Sequence, residues 1–482
     1  MKLSEILKDT EYQAFGIDPD AEVEDLSLTQ RNSNCKTAVI IPGERVPTGI
    51  RFSELRALCV ICGEDIAVPE GIATVRVEKP RRAMAFAYSR FYGIDYGKLR
   101  IIGITGTNGK TSTATFTEKA LSVIGKVGFI GTGKIRIGGI SVEEEFYSMT
   151  TPDPPLLYKV LKRMEDEGCF AVVMEVSSHA LALCKVDPIP FEYAVMTNLS
   201  DEHLDFHKTK EEYFLCKARL FSMCKTAVLN LDDGYARRIY RELGTRCISV
   251  GALFKGDAFA SSVSDLGFDG VSYIYNGKGY RFRMNLKTPG IYNIYNSLLA
   301  IAVATDMGAP PFMVKEALSR LDAIEGRYEI IKDEITVIID YAHTDTAMEC
   351  LLKGIYAVKG SNPLTVIFGA GGDRDRSKRP RMASISEKYA DKIIITQDNS
   401  RSEDPMDIVT DIVRGFKTKS CRISLDRAYA IREAILSAVR GEVIAIIGKG
   451  AEKYNIDKLG YHRFDEKAII KDALEERKKK CE

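Results

Sequence analysis

One glycine-rich segment has the residue types and the spacing that suit phosphate chemistry. An apolar run, RIIGIT, precedes it and a helical pattern follows, so it is predicted to form a tight turn at a helix N-terminus. Such a turn points backbone N–H groups and the positive end of the helix dipole at a phosphate. Lys110 is then expected to reach the β- and γ-phosphates, and Thr111 to bind Mg²⁺. The predicted phosphate-binding residues are Gly106, Thr107, Asn108, Gly109, Lys110, Thr111 and Ser112.

Glu175 and a pair of histidines form a candidate metal site. Glu175 ends the apolar run AVVM, and carboxylate oxygens are ligands that Mg²⁺ prefers. His203 and His207 follow the next apolar run at a spacing of i, i+4, like the two zinc ligands of HExxH proteases. Leu204 takes the place of the general-base glutamate of those enzymes, so the sequence argues against zinc hydrolysis. A structural role is the expectation for His207.

The elements that must position these residues follow an alternating pattern. Short apolar runs that end in glycine or in polar residues alternate with helical patterns, which predicts βαβ units and a parallel sheet. Ligands bind beyond the carboxyl ends of the strands in such sheets, which is where the phosphate loop and Glu175 fall. Residues 1–92 hold short strands and no phosphate loop, residues 93–326 carry the first α/β set, and residues 327–482 carry a second. The sequence therefore predicts an α/β protein of three domains.

Length and composition agree with three domains and argue against some classes of partner. The chain has 482 residues, and domains usually span roughly 100–200 residues. Lys plus Arg number 68 and Asp plus Glu number 67, so the chain lacks the basic excess of nucleic-acid-binding proteins. No run approaches the roughly 20 apolar residues of a spanning helix, and the N-terminus lacks the apolar stretch of a signal peptide. We expect a cytoplasmic protein without a nucleic-acid or membrane partner.

The cysteines indicate a reducing compartment. The chain has 11 of them, and without an export signal they are expected to stay reduced. Cys59 and Cys62 form a CxxC pair, but no second pair stands at the spacing of a zinc site. A buried strand is therefore predicted at Cys59 and Cys62.

The sequence resembles the Mur ligases, and most closely those of the MurE type, over about residues 100–465. The resemblance rests on the order and spacing of the phosphate loop, TTPD, MEVSSHAL, TNLSDEHLDFH, CKARLF, PGIYNIYN, EGR, DYAHT, GAGGDRDRSKRP, DNSR and GKG. It implies an N-terminal domain that holds a UDP-linked substrate, a central P-loop ATPase, and a C-terminal Rossmann-like domain that binds an incoming amino acid. It also implies an ATP-dependent enzyme that converts the terminal carboxylate of a UDP-linked peptide to an acyl phosphate and couples it to the amine of the amino acid.

The resemblance implies a role for individual residues as well. Lys217, fourteen residues beyond His203, matches the lysine that these enzymes carbamoylate with CO₂, which turns a cation into an anion able to hold a metal ion. The implied catalytic residues are Lys110, Glu175, His203 and Lys217, and the implied Mg²⁺ ligands are Thr111, Glu175, His203 and Lys217. The implied further ATP contacts are Asn293, Asn296, Arg327, Asp340 and His343. The implied substrate contacts are Thr150, Thr151, Ser177, Lys185, Arg374, Asn399, Arg401, Gly448 and Glu452.

The acceptor side departs from the family pattern, which leaves the acceptor open. Met149 replaces an asparagine of the family, and Leu183 and Lys185 replace a glutamine and an arginine that contact the sugar-phosphate substrate. The Asp-Ser-Arg motif expected in the N-terminal domain is also absent. A murein precursor and the UDP-linked peptide of pseudomurein, which lacks muramic acid, are both candidates. Diaminopimelate or lysine is the expected amino acid, and a monomer is the expected state.

Two alternatives of other classes stay open at the level of the sequence. A folylpolyglutamate-synthase-like amide ligase would share the ATP chemistry. A non-catalytic nucleotide-binding paralog is disfavoured, because its expected signature is the loss of residues that this chain retains, namely Lys110, Glu175, His203 and Lys217.

Overall fold

The computed structural model describes residues 1–31, 33–142, 149–200, 204–243 and 246–481. Within these ranges the strands form three large sheets and one hairpin. No helix in the described part of the chain is long and apolar enough to cross a membrane.

The first sheet is built by the N-terminal residues. Its elements are α1 (Leu3–Ile6), β1 (Tyr12–Phe15), β2 (Asp25–Ser27), β3 (Thr37–Ile40), β4 (Cys59–Cys62), β5 (Thr74–Val77) and α2 (Pro80–Phe91). The strand order is β1-β5-β4-β3-β2, and all neighbours are parallel except β1 and β5. Cys59 and Cys62 are both fully buried on β4, which confirms the predicted buried strand.

The second sheet has eleven strands and carries the phosphate loop. Its elements are β6 (Arg100–Thr105), α3 (Lys110–Leu121), β7 (Val127–Gly131), β8 (Lys134–Ile137), β9 (Ile140–Ser141), α4 (Pro154–Asp166), β10 (Ala171–Glu175), α5 (Ser178–Ala182), β11 (Phe191–Met196), α6 (Leu204–His207), α7 (Lys210–Ala218), β12 (Cys224–Asn230), α8 (Gly234–Glu242), β13 (Arg246–Gly251), β14 (Ala258–Asp265), β15 (Val271–Gly277), β16 (Tyr280–Leu286), α9 (Tyr292–Asp306) and α10 (Pro311–Ser319). The strand order is β16-β15-β14-β13-β12-β11-β6-β10-β7-β8-β9.

The predicted parallel sheet is confirmed for the central strands of this sheet. From β14 through β7 every neighbouring pair is parallel, whereas β15 and β16 at one edge and β8 and β9 at the other are antiparallel. Alternate residues of β6 pack into hydrophobic cores on opposite faces, Ile101 on one side and Ile102 with Ile104 on the other. Burial on both faces explains why the central strands read as continuous apolar runs.

The third sheet follows the pattern predicted for the C-terminal segment. Its elements are β17 (Glu329–Lys332), β18 (Thr336–Asp340), α11 (Asp345–Val358), β19 (Leu364–Phe368), α12 (Lys378–Tyr389), β20 (Lys392–Thr396), α13 (Pro405–Val413), β21 (Arg422–Ser424), α14 (Arg427–Ser437), β22 (Val443–Ile447) and α15 (Glu466–Cys481), with the hairpin of β23 (Tyr454–Asp457) and β24 (Gly460–Arg463). The strand order is β17-β18-β22-β19-β20-β21, parallel except for β17. The α/β class is confirmed, and the boundaries at residues 92/93 and 326/327 stay predictions.

Candidate active site

The phosphate loop joins β6 to α3 and has a backbone that only glycine adopts easily. Gly106 has a φ of +144° and Gly109, which caps α3, a φ of +84°. A Cβ added to Gly106 would lie 1.9 Å from Thr197 Oγ1, and one added to Gly109 would lie 2.6 Å from Asn296 Oδ1. Glycine is therefore required at both positions by torsion and by close packing.

Residues directly after β11 brace the loop from one side. The backbone N–H of Thr107 donates to the Asn198 carbonyl at 2.9 Å, and that of Asn108 donates to Asn198 Oδ1 at 3.0 Å. Thr197 Oγ1 and Asn198 Nδ2 both donate to the Asn108 carbonyl, at 2.6 and 3.0 Å. These hydrogen bonds fix the conformation of the loop and use only the backbone N–H groups of Thr107 and Asn108.

Two predicted catalytic lysines meet at the loop. Lys110 Nζ donates to the carbonyls of Gly106 and Thr107 at 2.9 and 2.8 Å. Lys217 on α7 is fully buried, donates from Nζ to the Gly106 carbonyl at 2.9 Å, and lies 4.6 Å from the centre of the Tyr213 ring. The side-chain nitrogens of both lysines therefore converge on the Gly106 carbonyl, within the phosphate loop.

Glu175 and Thr111 form a pair of oxygen donors beside the loop. Glu175 is fully buried at the end of β10, and Thr111 Oγ1 donates to its Oε2 at 3.0 Å. Thr132 holds the same carboxylate through its N–H at 3.0 Å and its hydroxyl at 3.2 Å. Arg327 Nη2 reaches Thr111 Oγ1 at 3.1 Å from the start of the third sheet. A hydroxyl and a carboxylate are oxygen donors of the kind that Mg²⁺ prefers, so Thr111 and Glu175 would be suited to hold this ion.

The structure does not describe His203, the histidine predicted to bind Mg²⁺ together with Thr111 and Glu175. His203 lies outside the described residues, and among the residues that are described no group of three His, Cys, Asp or Glu side chains is placed to hold a metal ion. His207 is buried, with its ring 5.2 Å from that of Tyr213 and 5.8 Å from that of His179. That packing agrees with the structural role predicted for His207.

The predicted acceptor residues lie next to Glu175. Thr151 Oγ1 donates to the Glu175 carbonyl at 2.9 Å and accepts from the N–H of Ser177 at 3.1 Å. Lys185 is almost fully buried, and its Nζ lies 2.7 Å from Asp153 Oδ1. Thr150 is reached by the hydroxyl of Thr132 at 3.2 Å. The structure therefore brings the four predicted residues, Thr150, Thr151, Ser177 and Lys185, to one edge of the metal-side pair.

The two predicted adenine-side asparagines sit behind the phosphate loop. Asn296 Oδ1 accepts from Thr113 Oγ1 at 3.1 Å, and its Nδ2 donates to Asn293 Oδ1 at 3.0 Å. Asn293 Nδ2 donates to the Pro289 carbonyl at 2.7 Å, and both asparagines are buried. These contacts couple α9 to α3, and the adenine-side role stays a prediction.

Asp340 and His343 organise the start of the third sheet. Asp340 accepts the backbone N–H groups of Tyr328 and Ala342 at 2.6 and 2.7 Å. Burial raises the pKa of Asp340, an effect that the nearby Arg327 opposes. His343 Nδ1 lies 3.0 Å from the Tyr341 carbonyl, so its orientation is set by its own turn.

The predicted amino-acid pocket lies beyond β20 and β22. Asn399 Nδ2 donates to Glu452 Oε2 at 2.9 Å, while Asn399 Oδ1 accepts from Lys449 Nζ at 2.9 Å. Arg401 Nη1 donates to the Gly372 carbonyl at 2.8 Å. Gly448 has a φ of +121°, and a Cβ there would lie 2.6 Å from Asp398 Oδ2. The remaining predicted contact, Arg374, is exposed at the rim.

Charge also shapes this pocket. Burial alone would raise the pKa of Asp398, but Lys449 and Arg427 hold that pKa below its ordinary value. Lys449 Nζ lies 3.8 Å from Asp398 Oδ1 and 3.6 Å from Glu452 Oε2. The fully buried Lys449 therefore lies between two carboxylates, so the pocket presents charged groups of both signs to a zwitterionic ligand.

Several residues in the site were not among those predicted from the sequence. Thr132, Thr197, Asn198 and Tyr341 are in contact with predicted site residues. Each of these residues is the first or second residue after the end of a strand, and the strands are β7, β11 and β18. Their position beyond a carboxyl end was therefore a usable signal.

Known proteins match almost the whole chain. A model of the Mur ligase middle domain matches residues 104–304, and a model of the Mur ligase, glutamate ligase domain matches residues 326–450. The chain is 37% identical, over 99% of its length and all of the relative's, to UDP-N-acetylmuramoyl-L-alanyl-D-glutamate–2,6-diaminopimelate ligase of Caldanaerobacter subterraneus. It is 39% identical to the protein of that name in Aquifex aeolicus, over 88% of this chain and 87% of the relative.

Solved structures support the same relationship. A structure of a UDP-N-acetylmuramoyl-L-alanyl-D-glutamate–2,6-diaminopimelate ligase matches with a TM-score of 0.66 and 26% identity over 99% of both chains. A pseudomurein peptide ligase type C from Methanothermus fervidus matches with a TM-score of 0.56 and 18% identity, over 84% of this chain and 87% of that one, and shares the fold alone.

With a phosphate loop in one sheet and an arginine from the next sheet touching it, the architecture is that of an ATP-dependent ligase that forms amide bonds. The chain belongs to the Mur ligase family, within its MurE type. It is an ATP-dependent peptide ligase of cell-wall precursor synthesis, and its family requires ATP and Mg²⁺. The resemblance noted in the sequence is confirmed.

Proposed function

We propose that this enzyme joins 2,6-diaminopimelate to UDP-N-acetylmuramoyl-L-alanyl-D-glutamate, the reaction for which its relatives are named. The observation that carries the proposal is full-length similarity, 37% identity over 99% of the chain, to a ligase of that name. The fixed charges around Asn399 and Arg401 support it, because an arginine fork binds a carboxylate in two parallel bonds.

The residues of the site suit an acyl-phosphate route. A carboxylate is a poor acylating agent, so its oxygen first attacks the γ-phosphorus of ATP and ADP leaves. The amine then attacks the acyl phosphate, phosphate leaves with the bonding electrons, and the amine gives up a proton as the amide forms. Negative charge accumulates on the phosphoryl group, and Lys110, Arg327 and the loop N–H groups stabilise it by electrostatics and positioning.

Mg²⁺, when bound, supplies charge neutralisation at the phosphates. Thr111 and Glu175 would hold it, with His203 as the further proposed ligand. Arg327 holds the Thr111 hydroxyl and Thr132 holds the Glu175 carboxylate, so both donors are already oriented.

We propose that Lys217 carries a carbamoyl group. Its burial beside the Gly106 carbonyl supports this role, since a carbamate there would be shielded from water. Intact mass measured under native conditions should show an added carboxyl group that Lys217→Ala lacks. Lys217→Ala should lose most activity and recover part of it in acetate, whereas Lys119→Ala, an exposed lysine on α3, should keep full activity. Full activity of Lys217→Ala without acetate would refute the role.

The substrate proposal is tested by ADP release with defined acceptors and amino acids. We expect turnover to require UDP-N-acetylmuramoyl-L-alanyl-D-glutamate and diaminopimelate together, with lysine a poor substitute. Arg401→Lys should raise KM for diaminopimelate, because Lys offers a point charge in place of a planar fork. Equal kcat/KM for lysine and diaminopimelate would contradict the proposed amino acid.

A UDP-linked peptide without muramic acid is the second candidate acceptor. The observation in its favour is local: Lys185 Nζ is engaged by Asp153 and lies 3.7 Å from Met149 Sδ, so a methionine occupies the place of a hydrogen-bonding asparagine. Each missing bond to a buried polar group costs about 1–3 kcal/mol, so loss of the family's contacts would weaken a muramoyl acceptor. A higher kcat/KM for the acceptor that lacks muramic acid would decide for this candidate.

The proposal also includes a cytoplasmic monomer with domain boundaries near residues 92/93 and 326/327. Light scattering after size exclusion should give one chain of 53.6 kDa. Limited proteolysis should cut first near those two boundaries.

A further inference from the structure

Tyr341 lies between the groups proposed for the two substrates. It is the first residue after β18, and its ring centre is 4.4 Å from the guanidinium carbon of Arg327. Its hydroxyl donates to Glu452 Oε1 at 3.3 Å. One side chain therefore contacts an arginine at the phosphate side and a carboxylate at the amino-acid side.

Arg327 and Glu452, the two residues that Tyr341 contacts, are each hydrogen-bonded to a further predicted site residue. Arg327 Nη2 donates to Thr111 Oγ1 at 3.1 Å, at the first turn of α3. On the other side, Glu452 Oε2 accepts from Asn399 Nδ2 at 2.9 Å. Tyr341 is thus the middle member of a line of contacts that runs from the phosphate loop to the predicted amino-acid pocket.

Two neighbouring residues pack against the partly buried side chain of Tyr341. A Cβ added to Gly450 would lie 2.8 Å from Tyr341 Cβ, so the loop after β22 packs directly on the side chain. The His343 ring lies 4.8 Å from the Tyr341 ring in an edge-to-face arrangement. Burial raises the pKa of Tyr341 well above its usual value, and Glu452 raises it further, so the hydroxyl keeps the proton that it donates.

We propose that Tyr341 is a positioning residue that orients Arg327 at the phosphate loop and Glu452 in the amino-acid pocket at the same time. The amine must meet the acyl phosphate at bonding distance, although the two substrates are bound by residues of different sheets. A misplacement of about 1 Å costs roughly 100-fold in rate, so a rigid side chain between the sites has a clear use. The inference rests on the proposed location of the amino acid at Asn399 and Glu452.

Two substitutions separate the two contacts of Tyr341. Tyr341→Phe keeps the ring under Arg327 and removes the bond to Glu452, so KM for the amino acid should rise about tenfold while KM for ATP stays within about twofold. Tyr341→Leu removes both contacts and should raise both constants. Tyr193→Phe removes a hydroxyl that donates to Asp306 Oδ2 at 2.7 Å, away from the site, and should change neither.

A double-mutant cycle measures the link itself. Tyr341→Phe and Glu452→Ala should be strongly non-additive in KM for the amino acid, because each removes the bond between the Tyr341 hydroxyl and the Glu452 carboxylate. Tyr341→Phe with an unchanged KM for the amino acid, or additive effects in the cycle, would overturn the inference. If Tyr341→Leu does not fold, the phenylalanine variant and its cycle decide alone.

The experiments distinguish an error in the proposed amino acid substrate from an error in the proposed role of Tyr341. A wild-type enzyme that does not turn over diaminopimelate shows the wrong amino acid, and the same Tyr341 measurements are then made with the amino acid that is accepted. An effect of Tyr341→Phe on ATP and amino acid alike would instead show that the residue only stabilises the fold.

Discussion

The phosphate loop and the predicted amino-acid pocket both lie beyond the carboxyl ends of parallel strands, yet different interactions stabilise them. The loop is shaped by backbone torsion and close contact, as Gly106 against Thr197 shows. The pocket is held by buried charge. Arg379 on α12 is fully buried and donates to both carboxylate oxygens of Glu403 at 2.9 Å and to Asp411 Oδ2 at 2.9 Å.

That charge network ties together the two loops that carry the pocket. Glu403, in the loop after β20, accepts the backbone N–H of Asp373 at 2.6 Å from the loop after β19. Arg379 Nη2 also donates to the Gly371 carbonyl at 3.2 Å. A site built by backbone packing should be insensitive to pH and salt, whereas a site built by charge should respond to both.

Removing the central cation should have the largest effect. Arg379→Met leaves two mostly buried carboxylates uncompensated, so the free energy of unfolding should fall by about 3–5 kcal/mol. Urea denaturation measures it. Arg381→Met, which changes a half-exposed arginine on the same helix, should cost less than about 1 kcal/mol. Equal losses in the two variants would show that the buried ion pairs of Arg379 contribute no more to the free energy of unfolding than the exposed pair of Arg381.

A methyl group in the phosphate loop should have the next largest effect. Gly106→Ala forces a clash with Thr197 at a glycine-only torsion, and we expect a loss of about 2–4 kcal/mol with most ATP turnover abolished. Gly279→Ala is the matched control, because its φ is +77° and a Cβ there meets nothing within 4 Å. It should cost about 1–2 kcal/mol and leave turnover intact. Normal turnover by Gly106→Ala would mean that the loop adapts.

The pH dependence of Glu403 sharpens the comparison. Hydrogen bonds from Arg379 lower the pKa of Glu403 from 4.5 to about 2. A depressed pKa in the folded state adds stability above pH 4.5, and that contribution disappears as pH falls through about 2. Glu403→Gln should therefore be less stable than wild type at neutral pH by about 1 kcal/mol after solvent screening, with a gap that closes in acid. A gap that stays constant from pH 7 to pH 2 would refute the assignment.

An exposed ion pair between the second and third sheets should matter least. Lys332 and Asp269 are paired but half or more exposed, so Lys332→Ala should change the free energy of unfolding by less than about 1 kcal/mol. The difference from wild type should vanish in 1 M NaCl, where charges are screened within about 3 Å. A larger loss, or one that salt does not reduce, would show that this contact holds the two sheets together.

The sequence predicted most of what depends on short stretches of chain. The phosphate loop at residues 106–112 and the alternation of strands and helices were readable because glycine torsion and hydrophobic periodicity act over a few residues. The antiparallel edges formed by β8 and β9 and by β15 and β16 were not predicted. Two-residue turns join β7 to β8 and β15 to β16 and allow only antiparallel pairing, so this direction is a local property that the strand–helix alternation did not reveal. Only the tertiary structure decided that these hairpins lie at the two edges of the second sheet.

Within the site, too, local features were predicted from the sequence and long-range contacts were not. The sequence alone determined which segment can cradle a phosphate and which carboxylate, Glu175, can follow a strand toward it. Only the tertiary structure decided that Thr132 holds that carboxylate and that Arg327 reaches Thr111 across 216 residues of chain. It also decided that Tyr341 contacts both Arg327 and Glu452. Such contacts depend on how whole sheets and helices pack, because long-range neighbours are chosen by burial and charge pairing that no local pattern records.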